Sequence, residues 1–181
     1  MALKQWVIRV ARWLATPWRR AKHRRYAEVP VDAASRLEFP NDKFLPLVRE
    51  CVAKGETVII SVKGYSMRPF LEHLRDRVKL APWTALSVGD AVLAEVSPDH
   101  FVLHRIIDID GRQLTLMGDG NFVGTEQCST GDIKAVVTHV IDADGRIHES
   151  NNRWRRWAAK VWRWLRPVRR YLLAIYNRLC G

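Results

Sequence analysis

The chain has 181 residues, 48% hydrophobic and 27% charged, enough for one folded domain with segments left over. Its net charge of +11 is unevenly placed: residues 1–25 hold eight Lys/Arg and residues 151–181 hold nine, with no Asp or Glu in either, whereas residues 26–150 hold 13 basic and 19 acidic residues. A uniformly basic domain is thereby excluded, and three cysteines without metal-ligand spacing suit a reducing compartment better than a disulfide scaffold.

From the start of the chain, Leu3, Trp6, Val7, Val10, Trp13 and Leu14 fall on one side of a helix at 100° per residue, and Lys4, Gln5, Arg9 and Arg12 fall opposite. Residues 1–25 therefore read as a basic amphipathic helical arm that Pro17 interrupts. Its apolar runs are too short to span a bilayer, and it lacks the uncharged core and small-residue cleavage site of a secretory signal.

Residues 26–150 form the expected β domain. A short helix is predicted over residues 42–52, with Asn41 as N-cap and Gly55 near its end. Strands are expected at Thr57–Val62, Arg77–Leu80, Ala91–Val96, Phe101–Ile109, Gln113–Met117, Ala135–Ile141 and Arg146–His148. Turn signals at Pro82, Gly89-Asp90, Pro98-Asp99, Asp110-Gly111 and Asp144-Gly145 separate them. Closely spaced short strands without intervening helices imply a compact, mainly antiparallel fold, so the fold class is mainly β with helical arms at both termini.

Residues 151–181 repeat the pattern of the first arm. Trp154, Trp157, Ala158, Val161, Trp164 and Leu165 oppose Arg155, Arg156, Lys160 and Arg163, and an apolar face resumes after Pro167 with Val168, Leu172, Ile175, Tyr176 and Leu179. Broad Trp/Leu/Val faces backed by Arg favour an anionic membrane surface over nucleic acid as the partner of both arms. The competing structural expectation is that these stripes pack on each other or on the core.

Three residues carry candidate chemistry. Ser66 follows a strand in Gly64-Tyr65-Ser66-Met67-Arg68-Pro69, where glycine allows a tight turn and proline restricts the chain. His104 interrupts the apolar run from Phe101 to Ile107. An imidazole, with its ordinary pKa of about 6.5, suits general-base work on a serine hydroxyl. Asp119 lies between glycines in Gly118-Asp119-Gly120-Asn121, and a hairpin through Asp110-Gly111 would bring its carboxylate towards the imidazole to fix the tautomer. Each residue also has a plain structural reading: a turn serine, a core histidine, and a turn aspartate bonded to its own backbone. A zinc set of Cys128, His139 and His148 matches no recognised spacing, so no metal or cofactor is expected, and Cys180 reads as a free thiol.

Gly64-x-Ser66-Met67-x-Pro69, Gly89-Asp90-Ala91-Val92-Leu93-Ala94, His104-Arg105-Ile106-Ile107 and Gly118-Asp119-Gly120-Asn121, in that order over residues 57–141, resemble the boxes of type I signal peptidases and the related LexA-like serine peptidases. His104 stands where bacterial signal peptidases have lysine, which is similar to the Ser-His branch found in archaea and the endoplasmic reticulum. The resemblance implies the β-rich fold of that superfamily and peptide-bond hydrolysis, with Ser66 as nucleophile, His104 as base and the Ser66 backbone N–H in the oxyanion hole. It also implies an acid after the second glycine box: Asp119 is favoured, and Glu126 is the alternative.

Two departures narrow the substrate. An amphipathic arm replaces the membrane span of signal peptidases, which places the expected activity at the cytoplasmic face of the inner membrane. In addition, no Ala-Gly or Cys-Gly pair precedes Ser66, so self-cleavage in the LexA manner is not expected. The expected function is a membrane-surface serine endopeptidase acting on a dedicated peptide or protein. The opposing class is a non-catalytic adaptor that binds a peptide at its sheet edge while its arms rest on lipid.

Overall fold

Short runs of alternating buried and exposed side chains build eight strands: β1 (Val58–Ser61), β2 (Arg77–Ala81), β3 (Ala91–Ser97), β4 (His100–Asp110), β5 (Gln113–Met117), β6 (Glu126–Ser129), β7 (Ile133–Ile141) and β8 (Ile147–Glu149). The computed structural model describes residues 41–180, so the arm expected at residues 1–25 and the segment 26–40 lie outside the described residues. The strands form one antiparallel sheet in the order β1-β2-β7-β3-β4-β5-β6, with β8 also paired to β7. The fold is mainly β.

Strand periodicity divides the core into two clusters, because successive side chains point to opposite faces of a sheet. On β3, Ala91 and Leu93 join one cluster, with Val78, Leu80, Ala135 and Val137, while Val92 and Ala94 join the other, with Ile106, Leu114, Leu116 and Cys128. Helix α1 (Asn41–Ala53) begins one residue before the predicted start, taking in Asn41 itself, and covers the first cluster with Val48 and Val52. Met67 and Leu71 enter the same cluster and pin the connection between β1 and β2 to the core.

The expected strands all form, with every end within two residues of its predicted position. The additional strand is β6, whose Glu-Gln-Cys-Ser sequence lacks the β-branched and aromatic residues that mark strands. Its ladder with β5 and the burial of Cys128 opposite Leu114 override that weak propensity.

The C-terminal segment forms α2 (Arg153–Trp164) and α3 (Arg169–Cys180), with Pro167 in the break between them. Ala158, Trp162 and Leu173 bury against Phe70 of the domain, and Leu165 and Leu172 pack at the margin. Trp162 is edge-on to Phe70, with 6.2 Å between ring centroids. Thus the inward face of α2 is turned from the expected tryptophan stripe: Ala158 and Leu165 share in the packing, but Trp157 and Trp164 remain exposed, at 44% and 80%. Among the described residues, no helix is long and apolar enough to cross a membrane.

Candidate active site

Ser66 sits in the connection between β1 and β2. The neck of this connection is closed by backbone bonds from Val62 N–H to the Asp76 carbonyl and from Leu74 N–H to the Val62 carbonyl, 2.9 and 2.7 Å. Gly64 adopts φ 105°, a conformation that disfavours residues with a Cβ, and its N–H donates to His73 Nδ1 at 2.9 Å. Met67 is buried beside the half-buried Ser66, which fixes the turn from below.

The second glycine box holds Ser66 from the other side. Gly120 N–H donates to the Ser66 carbonyl at 2.7 Å. A Cβ on Gly118 would lie 2.5 Å from that same carbonyl oxygen, and one on Gly120 would lie 2.7 Å from the Tyr65 carbonyl. Glycine is needed at both positions because two backbone segments touch there. The motifs that carry the family resemblance therefore meet in space at their main chains.

His104 is 6% exposed on β4. Its Nδ1 lies 2.8 Å from Glu126 Oε2. The sheet register explains the pairing: Ile106 faces Leu116 across β4 and β5, and Leu116 faces Glu126 across β5 and β6. His104 shares the face of Ile106, two residues along β4, so the Glu126 side chain is delivered to the imidazole side of the sheet.

Asp119 goes elsewhere. The expected hairpin does form, with Arg105 opposite Met117, but Arg105 projects from the face opposite His104 and takes the aspartate. Arg105 Nη2 and Nε donate to the Asp119 carboxylate at 2.6 and 2.9 Å, and Nη1 donates to the Gly89 carbonyl at 2.7 Å. The favoured acid of the sequence reading is thus corrected: the carboxylate bonded to His104 is Glu126, and Asp119 ties the second glycine box to the first. Burial would lower the Arg105 pKa, but the charge and hydrogen bonds of Asp119, with the charge of Asp90, outweigh it and leave the pKa raised.

Helix α2 completes the frame, a part of the site the sequence reading missed. The buried Trp162 Nε1–H donates to the Asp119 carbonyl at 2.7 Å. Arg163 donates to the Ile107 carbonyl at 2.9 Å, and Arg169, at the start of α3, donates to the Asn121 carbonyl at 3.0 Å. Trp162 was hidden because the stripe was centred on Trp157 and Trp164. An indole that needs both an apolar bed and one acceptor fits the carbonyl of a buried glycine box.

Among the described residues no hydrogen bond joins Ser66 Oγ to His104. His104 and Gly118 lie one step beyond the last paired residues of the β4–β5 hairpin, Arg105 and Met117, and Gly118 abuts the Ser66 carbonyl. The residues weighed for zinc are dispersed: Cys128 lies in the second core cluster, His139 Nδ1 is 3.0 Å from Thr138 Oγ1, and His148 Nε2 is 3.2 Å from Asp142. Comparison with family models, with curated proteins and with solved structures finds no match for the chain.

Proposed function

We propose that this protein is a serine endopeptidase of signal-peptidase-like type that cleaves a dedicated peptide or protein at a membrane surface. Ser66 is the nucleophile, His104 its base and Glu126 the acid that orients the imidazole. The observation that carries the reading is the 2.8 Å contact between His104 Nδ1 and Glu126 on a buried face of the sheet. A carboxylate only accepts hydrogen bonds, so Nδ1 carries the proton and Nε2 keeps a lone pair for the serine hydroxyl.

In the first step Ser66 Oγ bonds to the substrate carbonyl carbon while its proton passes to His104 Nε2. The carbonyl π electrons move onto oxygen, where the Ser66 backbone N–H stabilises the charge. Collapse breaks the C–N bond, and His104 gives its proton to the leaving amine. Water then adds to the acyl carbon as His104 takes its proton, and the ester bond breaks as that proton returns to Ser66 Oγ. Glu126 stabilises the imidazolium in both halves. A Ser-His hydrogen bond that forms only with substrate in place is common in such sites.

The membrane half of the proposal is supported by Trp157 and Trp164 on α2, Val168 in the break and Tyr171 on α3, all exposed in a segment that carries arginine and no acidic residue. A fluorophosphonate probe on the full chain tests the chemistry. Wild type should label, Ser66→Ala should not, and His104→Ala should label at least about a hundredfold more slowly. Equal labelling of all three would leave the non-catalytic adaptor as the better description. Flotation with phosphatidylglycerol vesicles tests the location, and wild-type protein that stays at the bottom of the gradient removes the membrane half.

A further inference from the structure

A cleft of about 350 Å³ opens between α2 and the ends of β4 and β5, on the Arg105 side of the sheet, and neither Ser66 nor His104 lines it. Arg105, Lys160, Arg163 and Arg169 line it, against Asp119 as the lone acidic residue of its wall. Asp119 is already held by two nitrogens of Arg105, so its charge is spent within the wall.

Arg169 has no such neutralisation. It is 2% exposed, and its Nη1 and Nη2 donate to the Asn121 and Trp162 carbonyls, both uncharged. Among the described residues its Nε is buried without a hydrogen-bond partner. Burial pulls the Arg169 pKa below the ordinary arginine value; the charge of Asp119 opposes this, and Arg166 adds to it. A buried guanidinium with an unmet donor and no carboxylate of its own is costly unless an anion joins it.

The remaining wall suits a ligand that has a charged head and an apolar neighbour. Lys160 lies between Trp157 and Trp164 on one flank of α2, at spacings of three and four residues, and Trp157 and Lys160 both line the cleft. Guanidinium groups match tetrahedral oxyanions by paired hydrogen bonds, and a cleft of this size holds a small phosphate ester.

We propose that this cleft binds the phosphate of an anionic phosphate ester, with Arg169 and Lys160 as its principal cations. The exposed indoles on the same flank favour the headgroup of an acidic phospholipid as the source, a choice that rests on the membrane-surface reading above. A soluble phosphate ester presents the same chemistry. Headgroup capture would set the catalytic domain at a fixed height and orientation, since Arg169 also bonds the Asn121 carbonyl of the loop that abuts Ser66.

The test uses the full chain and two probes: glycerol phosphate by calorimetry, and phosphatidylcholine vesicles with and without phosphatidylglycerol by co-sedimentation. Lys160→Glu alters an exposed side chain in the cleft, and Arg178→Glu makes the same charge change on α3 outside it. Lys160→Glu should weaken binding by roughly fivefold or more, whereas Arg178→Glu should change it by less than about twofold. Selective loss on glycerol phosphate identifies a soluble-ester site, and selective loss on phosphatidylglycerol vesicles identifies a headgroup site. Absence of saturable binding by wild type to either probe, or equal loss in both variants, overturns the cleft. Ser66→Ala should bind both probes as wild type does, so a failure to label with fluorophosphonate leaves this site standing. Conversely, equal loss in both variants on vesicles leaves the membrane reading intact while removing the cleft.

Discussion

Two carboxylates near the candidate site hold different partners, and their substitution should separate chemistry from scaffold. Glu126→Gln keeps a hydrogen-bonding side chain at the imidazole but removes the charge that stabilises an imidazolium. Fluorophosphonate labelling should slow by roughly 10²–10⁴-fold with little change in melting temperature. Asp119→Asn instead leaves the buried Arg105 guanidinium without its counter-charge, which costs about 3 kcal/mol and should show in a denaturant titration. If Asp119→Asn melted like wild type and lost only labelling, the roles assigned here would be reversed. The sequence made Ser66 and His104 legible because each breaks its local pattern. It left Asp119 and Glu126 open because the choice depends on which face of β4 each neighbour reaches. That is a matter of register, and register was hidden by the poor strand signal of residues 126–129.

At the level of elements, the turn that carries Ser66 is a sandwich of main chains, with the β1–β2 connection on one side and the loop after β5 on the other. Gly118→Ala drives a methyl into the Ser66 carbonyl, where backbone rather than a flexible side chain must yield. The variant should lose about 1–3 kcal/mol of stability and label far more slowly. Gly131→Ala, where a Cβ would sit 3.6 Å from Ser129 Oγ, should be near neutral by both measures. Helix α2 supports the same loop from behind. Trp162→Ala should cost about 3–5 kcal/mol, and Trp162→Phe, which keeps most of the packing but not the indole donor, about 1 kcal/mol. Thermal melts of the pair would show whether packing or the hydrogen bond dominates. The periodicity of residues 153–164 made the helix itself legible. It did not show which side packs inward, since a segment with tryptophans on two flanks offers two apolar faces and only the tertiary acceptor at Asp119 selects one.

For the whole molecule, four groups make stability depend on acid in the same direction. In the first, Glu95, burial raises the pKa, but hydrogen bonds from the Asp99 backbone, Arg49 and Lys134 outweigh it and leave it low. Hydrogen bonds from the Ser129 backbone and hydroxyl hold the Asp132 carboxyl below the ordinary carboxylate value. Burial pushes Asp142 up, but hydrogen bonds from the Arg146 backbone and His148, aided by the Asp144 backbone, outweigh it and leave it low. Burial first, and then the charge of Lys79 across the β2–β7 pair, lowers the pKa of His139. Each group binds protons more weakly when folded than when unfolded, so stability rises with pH. The histidine contribution is complete above its ordinary value of about 6.5 and is lost as pH falls through the lower folded value; the carboxylate contributions are lost further down, below about pH 4. Melting temperatures taken from pH 7 to pH 3 should fall in two stages, and His139→Asn should remove the first. A single stage in wild type would mean that His139 titrates alike in both states.

The clamp of Trp162 and Arg169 on the Gly118–Asn121 loop also has a temporal meaning. Ser66, His104 and Glu126 all leave the ribosome before the helices that brace their loop are made. A growing chain thus carries the Gly118–Asn121 loop for some forty residues of synthesis without the brace that holds it, counting from Asp119 to Trp162. Order of translation thereby delays the braced form of this loop until α2 and the start of α3 have emerged.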